Sequence, residues 1–471
     1  MKLNQITIKE AKEGLGNRKF SSTELTKACL EQIKKYNKDL NAFVTIAERE
    51  ALESAIKADK LISSKQDLPL LGIPIALKDL FSTKDIKTTA GSKVLKNYIS
   101  QYDATVVKKL KDAGAVIIGK TNLDAWAHGS SGENSDFGPT KNPWKKEYVP
   151  GGSSSGSAVS VASDMCIAST GTDTGGSIRL PASFNNIVGL KPTYGRVSRY
   201  GIIAMASSLD SIGHFTKTVE DSALFFNITS GKDNMDATTL PNSAEDFTNK
   251  LSKGIKGIKI GIPKEFVTSS LDKEVKARFE ESVEILEGLG AEIFEVSLPY
   301  TEYGIAAYYI IQPSEVSSNL ARYDGIRYGN GRSFFGDEAK RRIMLGTFTL
   351  SSGYYDAFYK KAMGIRTLIK KDFDDVFEKI DALVSPVCPT LPWKLGEKIN
   401  DPLKMYLSDV LTVTANIAGI PSLSVPAGFS KNKLPIGIQF MGKQLSESLL
   451  FQIGNSFEKQ TSFYKQKPPL Q

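Results

Sequence analysis

The chain has 471 residues, of which 41% are hydrophobic and 24% are charged, a composition typical of a globular protein with a sizeable core. No low-complexity linker divides it, which argues against an array of small modules. The formal net charge is +8, but the 60 basic residues are spread among 52 acidic ones without a nucleic-acid-binding motif. Nucleic acid binding is therefore not indicated as the main role.

No apolar run approaches the roughly 18 residues that span a bilayer, and residues 1–5 lack the apolar core of a signal peptide. We therefore expect a cytoplasmic protein that does not contact a membrane. The cysteines Cys29, Cys166 and Cys388 are odd in number and unclustered, and only two histidines are present. The sequence consequently predicts neither a disulfide framework nor a metal site.

Helical and extended patterns alternate along the chain, as an α/β fold requires. Ser21 to Glu24 form a capping box that opens a helix running through Ile33. The other predicted elements are a buried strand within 71–79, a helix at 105–114, strands at 115–119 and 258–262, a helix at 271–289, a strand at 291–296, a helical run at 356–380, a strand at 382–384, and paired core strands at 422–425 and 436–440.

Two Gly/Ser-rich runs, 150–157 and 173–179, are the most informative feature of the sequence. Small residues allow backbone N–H groups to turn toward a ligand, and a serine among them stands beside the donors that an oxyanion needs. Such runs are more often flexible linkers. Apolar segments at 158–162 and 165–168 border these two, which favours a place inside the core.

A serine nucleophile needs a group that accepts its proton, and histidine is the usual one. The run 152–156 matches the G-x-S-x-G nucleophile elbow, with Asp173 or Asp210 and then His214 downstream. An elbow follows a strand directly, whereas 145–150 is a poor strand that ends in proline. The Ser-Asp-His hypothesis is therefore disfavoured.

Lysine is the alternative base, because burial disfavours its charged form and lowers its pKa. Lys78 closes the apolar run at 71–78, where the predicted strand carries it to the edge of a sheet. A lysine there is either a satisfied charge at a strand end or a functional group.

Lys78, the run 151–156 and the run 172–182 together resemble the three motifs of the amidase signature family. The resemblance implies a mixed central β-sheet sandwiched between α-helices, in a single domain over 1–471 whose helical N-terminal segment of about 1–60 packs on the catalytic core. It also implies that Ser177 is the nucleophile, that Ser153 bridges it to the base Lys78, and that a cis peptide bond positions Ser153.

The same resemblance implies that the backbone N–H groups of Thr174, Gly175 and Gly176 stabilise the oxyanion. Asp173 and Arg179 are expected to form a charge pair that supports this loop, the alternative being an ordinary surface pair.

Within the family, the chain is most similar to the glutamine-hydrolysing subunits of amidotransferases that act on mischarged tRNA. The resemblance runs over nearly the whole chain, including 129–131, 133–135, 340–348, 351–356 and 405–409. It implies that Arg342 and Asp409 hold the α-carboxylate and α-ammonium of glutamine, and that Ser130 and Tyr308 also bind substrate. The adjacent Arg341 is the other candidate for the arginine, and a solvated helix face is the structural alternative.

The resemblance further implies two partner subunits, B and C, that hold ATP, magnesium and most of the tRNA, either glutamyl-tRNA(Gln) or aspartyl-tRNA(Asn). This chain, which has no phosphate-binding lysine loop, is expected to need no cofactor. The sequence departs from the family pattern at His128, where an apolar residue, often Met, is expected, and at 328–337, which is short. His128 either satisfies a local hydrogen bond or lines the substrate cavity. The alternatives are a freestanding amidase and, much less favoured because Lys78, Ser153 and Ser177 are all present, a noncatalytic scaffold.

Overall fold

The computed structural model describes residues 2–241, 245–327 and 329–470. Within them, strands β1 to β11 form one mixed sheet in the order β1-β3-β2-β4-β6-β5-β10-β11-β9-β7-β8. Their bounds are β1 Phe43–Ile46, β2 Pro74–Lys78, β3 Val116–Thr121, β4 Ala168–Asp173, β5 Val188–Lys191, β6 Ser211–Thr216, β7 Lys259–Pro263, β8 Glu292–Val296, β9 Ala382–Pro386, β10 Ser422–Phe429 and β11 Pro435–Gly442.

Helices connect these strands and pack on the sheet. Their bounds are α1 Ile8–Gly16, α2 Ser22–Leu40, α3 Glu48–Ser63, α4 Thr105–Asp112, α5 Ser155–Ala162, α6 Arg179–Asn185, α7 Val219–Thr229, α8 Lys273–Gly288, α9 Gly304–Asn319, α10 Asp337–Thr349, α11 Lys361–Val376, α12 Pro402–Tyr406, α13 Val413–Ala418 and α14 Glu447–Thr461. Tyr328, at the start of the short 328–337 segment, lies outside the described residues.

Every residue of β2, β3, β4 and β6 is buried. Because successive side chains of a strand point to opposite faces, both faces of the sheet are covered there. β2 runs parallel to β3 and β4, whereas β10 and β11 pair antiparallel. The predicted α/β fold with a mixed central sheet and helices is confirmed.

Most of the predicted elements are present with shifted ends. The capping box at Ser21 and Glu24 opens α2, and the two predicted core strands near the C-terminus pair as β10 and β11. One departure lies in the N-terminal segment, predicted as helical, which also contributes β1 to the edge of the sheet beside β3. The other is at Asp356–Lys360, where a π-helical turn precedes α11. Among the described residues, no helix is both long enough and apolar enough to cross a membrane.

The parallel strands β2 and β4 end at Lys78 and Asp173, and therefore carry both residues to the same edge of the sheet. The two Gly/Ser runs lie directly before α5 and before α6. The fold thus brings three distant segments of the sequence to one place.

Candidate functional site

Lys78 is fully buried at the end of β2 and reaches three hydroxyl groups. Its Nζ lies 2.9 Å from Ser153 Oγ, 2.9 Å from Ser154 Oγ and 2.8 Å from Thr172 Oγ1. The Ser154 hydroxyl in turn donates to the carbonyl oxygen of Thr172, at 3.1 Å. No carboxylate among the described residues forms an ion pair with Lys78, which is unusual for a buried lysine.

Burial disfavours the charged form of Lys78 and lowers its pKa to about 7, although Asp124, Asp173 and Asp210 oppose the shift from a distance. A lysine with such a pKa is partly neutral at physiological pH, and its nitrogen then has a lone pair that accepts a proton. Lys78 can therefore accept a proton at this site, where no histidine among the described residues contacts it.

The first Gly/Ser run forms a tight loop that holds Ser153 over Lys78. The Gly152–Ser153 peptide bond is cis, as the resemblance implied. The loop continues directly into α5, and the Ser154 N–H donates to the carbonyl oxygen of Ser177 at 3.3 Å. Lys78 and Ser153 are thus hydrogen-bonded and fully buried, and the Ser154 main chain joins them to Ser177. Ser177 is 9% exposed, and its hydroxyl makes no hydrogen bond to the described residues.

Asp173 organises the loop that carries Ser177. Its carboxylate accepts hydrogen bonds from the N–H groups of Gly176 at 2.9 Å and Ile178 at 3.1 Å. It also pairs with Arg179, whose Nη2 lies 3.0 Å from Asp173 Oδ1 in a fully buried contact. Burial alone would raise the pKa of Asp173, but Arg179 lowers it to about 2. The pair is therefore internal, not on the surface.

The backbone donors of this loop differ in their availability. The N–H groups of Thr174 and Gly175 have no acceptor among the described residues, so they are free to face a substrate oxygen. The Gly176 N–H donates to Asp173 Oδ1 at 2.9 Å, and its place in the oxyanion hole stays a prediction. Gly176 has a φ of +141°, and a Cβ there would meet Thr412 Oγ1 at 2.4 Å.

The Ser-Asp-His hypothesis is wrong for this structure. His214 lies on β6, where its Nε2 is 2.7 Å from Ser222 Oγ. Ser154, the central residue of the G-x-S-x-G match, contacts Lys78 instead. Asp210 accepts from Thr174 Oγ1 at 2.7 Å and so supports the loop.

Arg342 lies on α10 and is 2% exposed, whereas the side chain of Arg341 is 42% exposed. Arg342 Nε donates to Glu338 Oε1 at 2.8 Å and Nη1 donates to Gln312 Oε1 at 2.7 Å. Burial would lower the pKa of Arg342, but Glu338 raises it above its ordinary value. Arg342 is therefore the fixed cation of the pocket, and the adjacent arginine is an exposed partner of Glu338.

Asp409 is a buried anion that contacts Tyr309, the residue whose ring faces Arg342. Its Oδ2 accepts from Ser130 Oγ at 2.7 Å and from the Tyr309 hydroxyl at 3.1 Å. Burial raises the pKa of Asp409 to about 6, although these two hydrogen bonds oppose the shift. The Tyr309 ring also faces the Arg342 guanidinium, 5.2 Å from ring centroid to Cζ. Both charges therefore adjoin one aromatic side chain.

Two contacts connect this pocket to the Ser177 loop. Tyr308 packs so closely on Gly175 that a Cβ there would meet its hydroxyl oxygen at 2.7 Å. The Thr412 hydroxyl contacts the carbonyl oxygens of Gly175 at 2.6 Å and Asp409 at 3.0 Å. A cavity of about 410 Å³ opens beside Arg342, with Glu338, Gly129, Lys398 and Tyr406 among the residues that line it.

A protein-family model described as Amidase matches residues 24–451. The chain belongs to the amidase family. The family prediction made from the three motifs is thereby confirmed, and an enzyme of this family hydrolyses amides. The Lys78, Ser153 and Ser177 cluster lies inside the matched region.

Relatives of this amidase extend over its whole length. It is 48% identical to the glutamyl-tRNA(Gln) amidotransferase A subunit of Desulfatibacillum aliphaticivorans, with 100% of both chains covered. It is 51% identical to the protein of the same name from Caldanaerobacter subterraneus, over 98% of both chains. The solved structure of the protein of that name from Thermotoga maritima is 43% identical, covers 97% of this chain and 95% of its own, and has a TM-score of 0.83.

A native peptide amidase from Stenotrophomonas maltophilia has the same fold, with 30% identity, 98% of both chains covered and a TM-score of 0.84. The amidase fold is thus shared by proteins named for different amide substrates. The residues of the pocket around the serines must therefore determine which amide is the substrate.

Several residues of this amidase site were missed by sequence reasoning. Glu338 lies four residues before Arg342 on α10, a spacing at which opposite charges meet on one helix face. Tyr309 follows the predicted Tyr308 directly in the sequence. Gln312 and Thr412 carried no signal, because only the tertiary fold brings them to the pocket.

Proposed function

We propose that this amidase is the glutamine-hydrolysing component of a tRNA-dependent amidotransferase. The observation that carries the proposal is the pair of buried charges, Arg342 and Asp409, which both contact Tyr309. Asp409 also contacts Thr412, which supports the Ser177 loop. Free glutamine bears an α-carboxylate and an α-ammonium, which these two groups complement. The full-length relatives, named for a glutamyl-tRNA(Gln) amidotransferase, support the same interpretation.

The proton relay follows from the hydrogen bonds around Lys78. A neutral amine has two N–H donors and one lone pair. The Ser154 hydroxyl proton is committed to the Thr172 carbonyl, so Ser154 Oγ accepts from Lys78, and Thr172 Oγ1 accepts the second N–H. The lone pair then remains for the proton of Ser153, 2.9 Å away. Ser153 can accept the proton of Ser177 in the same movement.

With that relay, Ser177 Oγ attacks the side-chain amide carbon of glutamine, and its proton passes through Ser153 to Lys78. The negative charge that develops on the amide oxygen is stabilised by the N–H groups of Thr174 and Gly175. The C–N bond then breaks, the proton returns through Ser153 to the departing nitrogen, and ammonia leaves. Water cleaves the γ-glutamyl ester on Ser177 by the same relay and releases glutamate.

Replacement of Asp409 by asparagine tests the substrate assignment. We expect Asp409→Asn to raise the KM for L-glutamine about ten-fold or more, because the substrate ammonium loses its counter-charge. In the unaltered enzyme the KM should rise as the pH falls through 6, where Asp409 becomes protonated. Steady-state ammonia release against substrate concentration measures both effects.

Glutaramate, which is glutamine without its α-amino group, is the matched control substrate. Its KM should be the same for the parent and for Asp409→Asn. An unchanged KM for L-glutamine would instead mean that Asp409 does not bind the substrate ammonium. It would favour a freestanding amidase for another small amide, because an uncharged substrate has no use for two buried charges.

We also propose that the ammonia is used by a partner protein that amidates glutamate or aspartate on mischarged tRNA, in a heterotrimer whose other two subunits bind ATP, magnesium and most of the tRNA. This proposal rests on the names of the full-length relatives. In the cytoplasm of its host, the tagged chain should copurify with two further subunits, measured by the intact mass of the native complex. A lone monomer or homodimer would contradict it.

A further inference from the structure

His128 is fully buried, and neither nitrogen of its ring has a hydrogen-bond partner among the described residues. Buried polar groups in folded proteins are nearly always paired, so a group without a partner indicates a role that a ligand or water completes. The mechanism proposed above makes no use of His128.

Hydrogen bonds fix the main chain around His128, so a poorly held backbone does not explain why its ring lacks a partner. The His128 N–H donates to the Ala125 carbonyl at 3.0 Å, and the His128 carbonyl accepts from Asn134 Nδ2 at 3.1 Å. Trp126 and Ala127, directly before it, both have positive φ angles, of 61° and 64°. The same segment continues to Ser130, which binds Asp409. Ala125 and Gly129, on either side of His128, line the cavity beside Arg342, so His128 is buried directly behind the wall of that cavity.

Arg342 lines the same cavity as Ala125 and Gly129, the residues that flank His128. Burial, and then the Arg342 cation, lower the pKa of His128 well below its ordinary value, so the imidazole stays neutral and keeps one N–H donor. Arg342 itself uses Nε for Glu338 and Nη1 for Gln312, and its Nη2 has no partner among the described residues. The Nε2 of the buried Gln312 is also unpartnered there. Unpaired N–H donors therefore lie around the Arg342 guanidinium. A substrate carboxylate has two oxygens that can accept hydrogen bonds from them.

We infer that the neutral imidazole of His128 donates a hydrogen bond to the substrate α-carboxylate, beside Nη2 of Arg342, and so selects amides that carry a carboxylate. This inference rests on glutamine being the substrate. His128 is then a specificity residue, and it takes no part in the proton relay.

The test uses the inert Ser177→Ala form of the full-length chain, within its native complex, and measures ligand binding by calorimetry. L-glutamine is compared with L-glutaminamide, in which a carboxamide replaces the α-carboxylate. His128→Met should weaken L-glutamine binding about ten-fold and leave L-glutaminamide binding unchanged, because only the carboxylate loses a donor. His128→Gln, which keeps an N–H donor, should remain within about three-fold of the parent.

Imidazole ¹⁵N NMR gives a second readout when only this chain of the complex is ¹⁵N-labelled, because the chain has only two histidines. L-glutamine should shift the His128 signals and leave those of His214, which is bonded to Ser222, in place. Equal loss of both ligands in His128→Met, or undiminished glutamine binding, would overturn this inference and leave the proposed function standing. If the Ser177→Ala parent itself does not bind L-glutamine, the proposed function fails and this inference with it.

Discussion

Ser177→Ala should abolish ammonia release from L-glutamine, lowering kcat by about 10⁴-fold or more, while the protein stays folded. The reason is that Thr174, the other hydroxyl-bearing residue of the Asp173-organised loop, donates its hydroxyl to Asp210, which leaves Ser177 as the nucleophile beside the N–H groups of Thr174 and Gly175. Removal of one oxygen atom from a residue that is 9% exposed should disturb the packing little. Ammonia release by the native complex, together with its thermal unfolding, measures both parts.

Ser155→Ala is the matched control. Ser155 belongs to the same Gly/Ser-rich region and is fully buried, but its hydroxyl donates to Thr140 Oγ1 at 3.1 Å and does not contact Lys78. This variant should keep kcat within a few-fold of the parent. An electrophilic glutamine analogue should add its mass to the parent and to Ser155→Ala, and not to Ser177→Ala. Turnover by Ser177→Ala would contradict the proposed mechanism.

Lys78→Met should lower kcat/KM for L-glutamine by about 10²- to 10⁴-fold, because the relay loses its proton acceptor. In the parent, burial places the pKa of Lys78 at about 7, and the neutral form is the base. Activity should therefore rise with pH through 7 and level off above it, as Lys78 loses its proton. A pH profile of kcat/KM between pH 6.5 and 9 measures this rise in the parent and its disappearance in Lys78→Met.

Lys78→Arg separates the loss of a base from the loss of a positive charge. A guanidinium stays protonated throughout this pH range, so it keeps the charge and supplies no lone pair. We expect it to be as inactive as Lys78→Met. An active arginine variant, or a parent whose activity does not depend on pH near 7, would show that Lys78 acts only through its charge.

Much of the site was predictable because its chemistry is carried by short local patterns. A lysine that ends an apolar run identifies Lys78, since strand length and burial can be read from a few neighbouring residues. The Gly/Ser runs identify the loops of Ser153 and Ser177 because only small residues allow such close backbone approach. The family resemblance then assigned roles in a proton relay to the residues of these motifs.

The sequence predicted which charged residues supply the pocket, but it did not predict which neighbours surround them. Arg341 and Arg342 are adjacent in the sequence, and only the packing of α10 against α9 buries one and exposes the other. The Gly176 N–H could not be assigned in advance, because its hydrogen bond to Asp173 depends on how the loop folds back on itself.

The sequence by itself therefore determined the α/β class, from local periodicity, and the family, from three short motifs. The serine–lysine relay is what that family resemblance implies, and it stays a prediction. Only the tertiary structure decided which donors remain free for an oxyanion, which of the two adjacent arginines is buried, and that His128 is left without a partner among the described residues. These properties depend on burial and on contacts between segments far apart in the chain. Residues such as Ser130 and Asp409, 279 positions apart, meet only when the fold is complete.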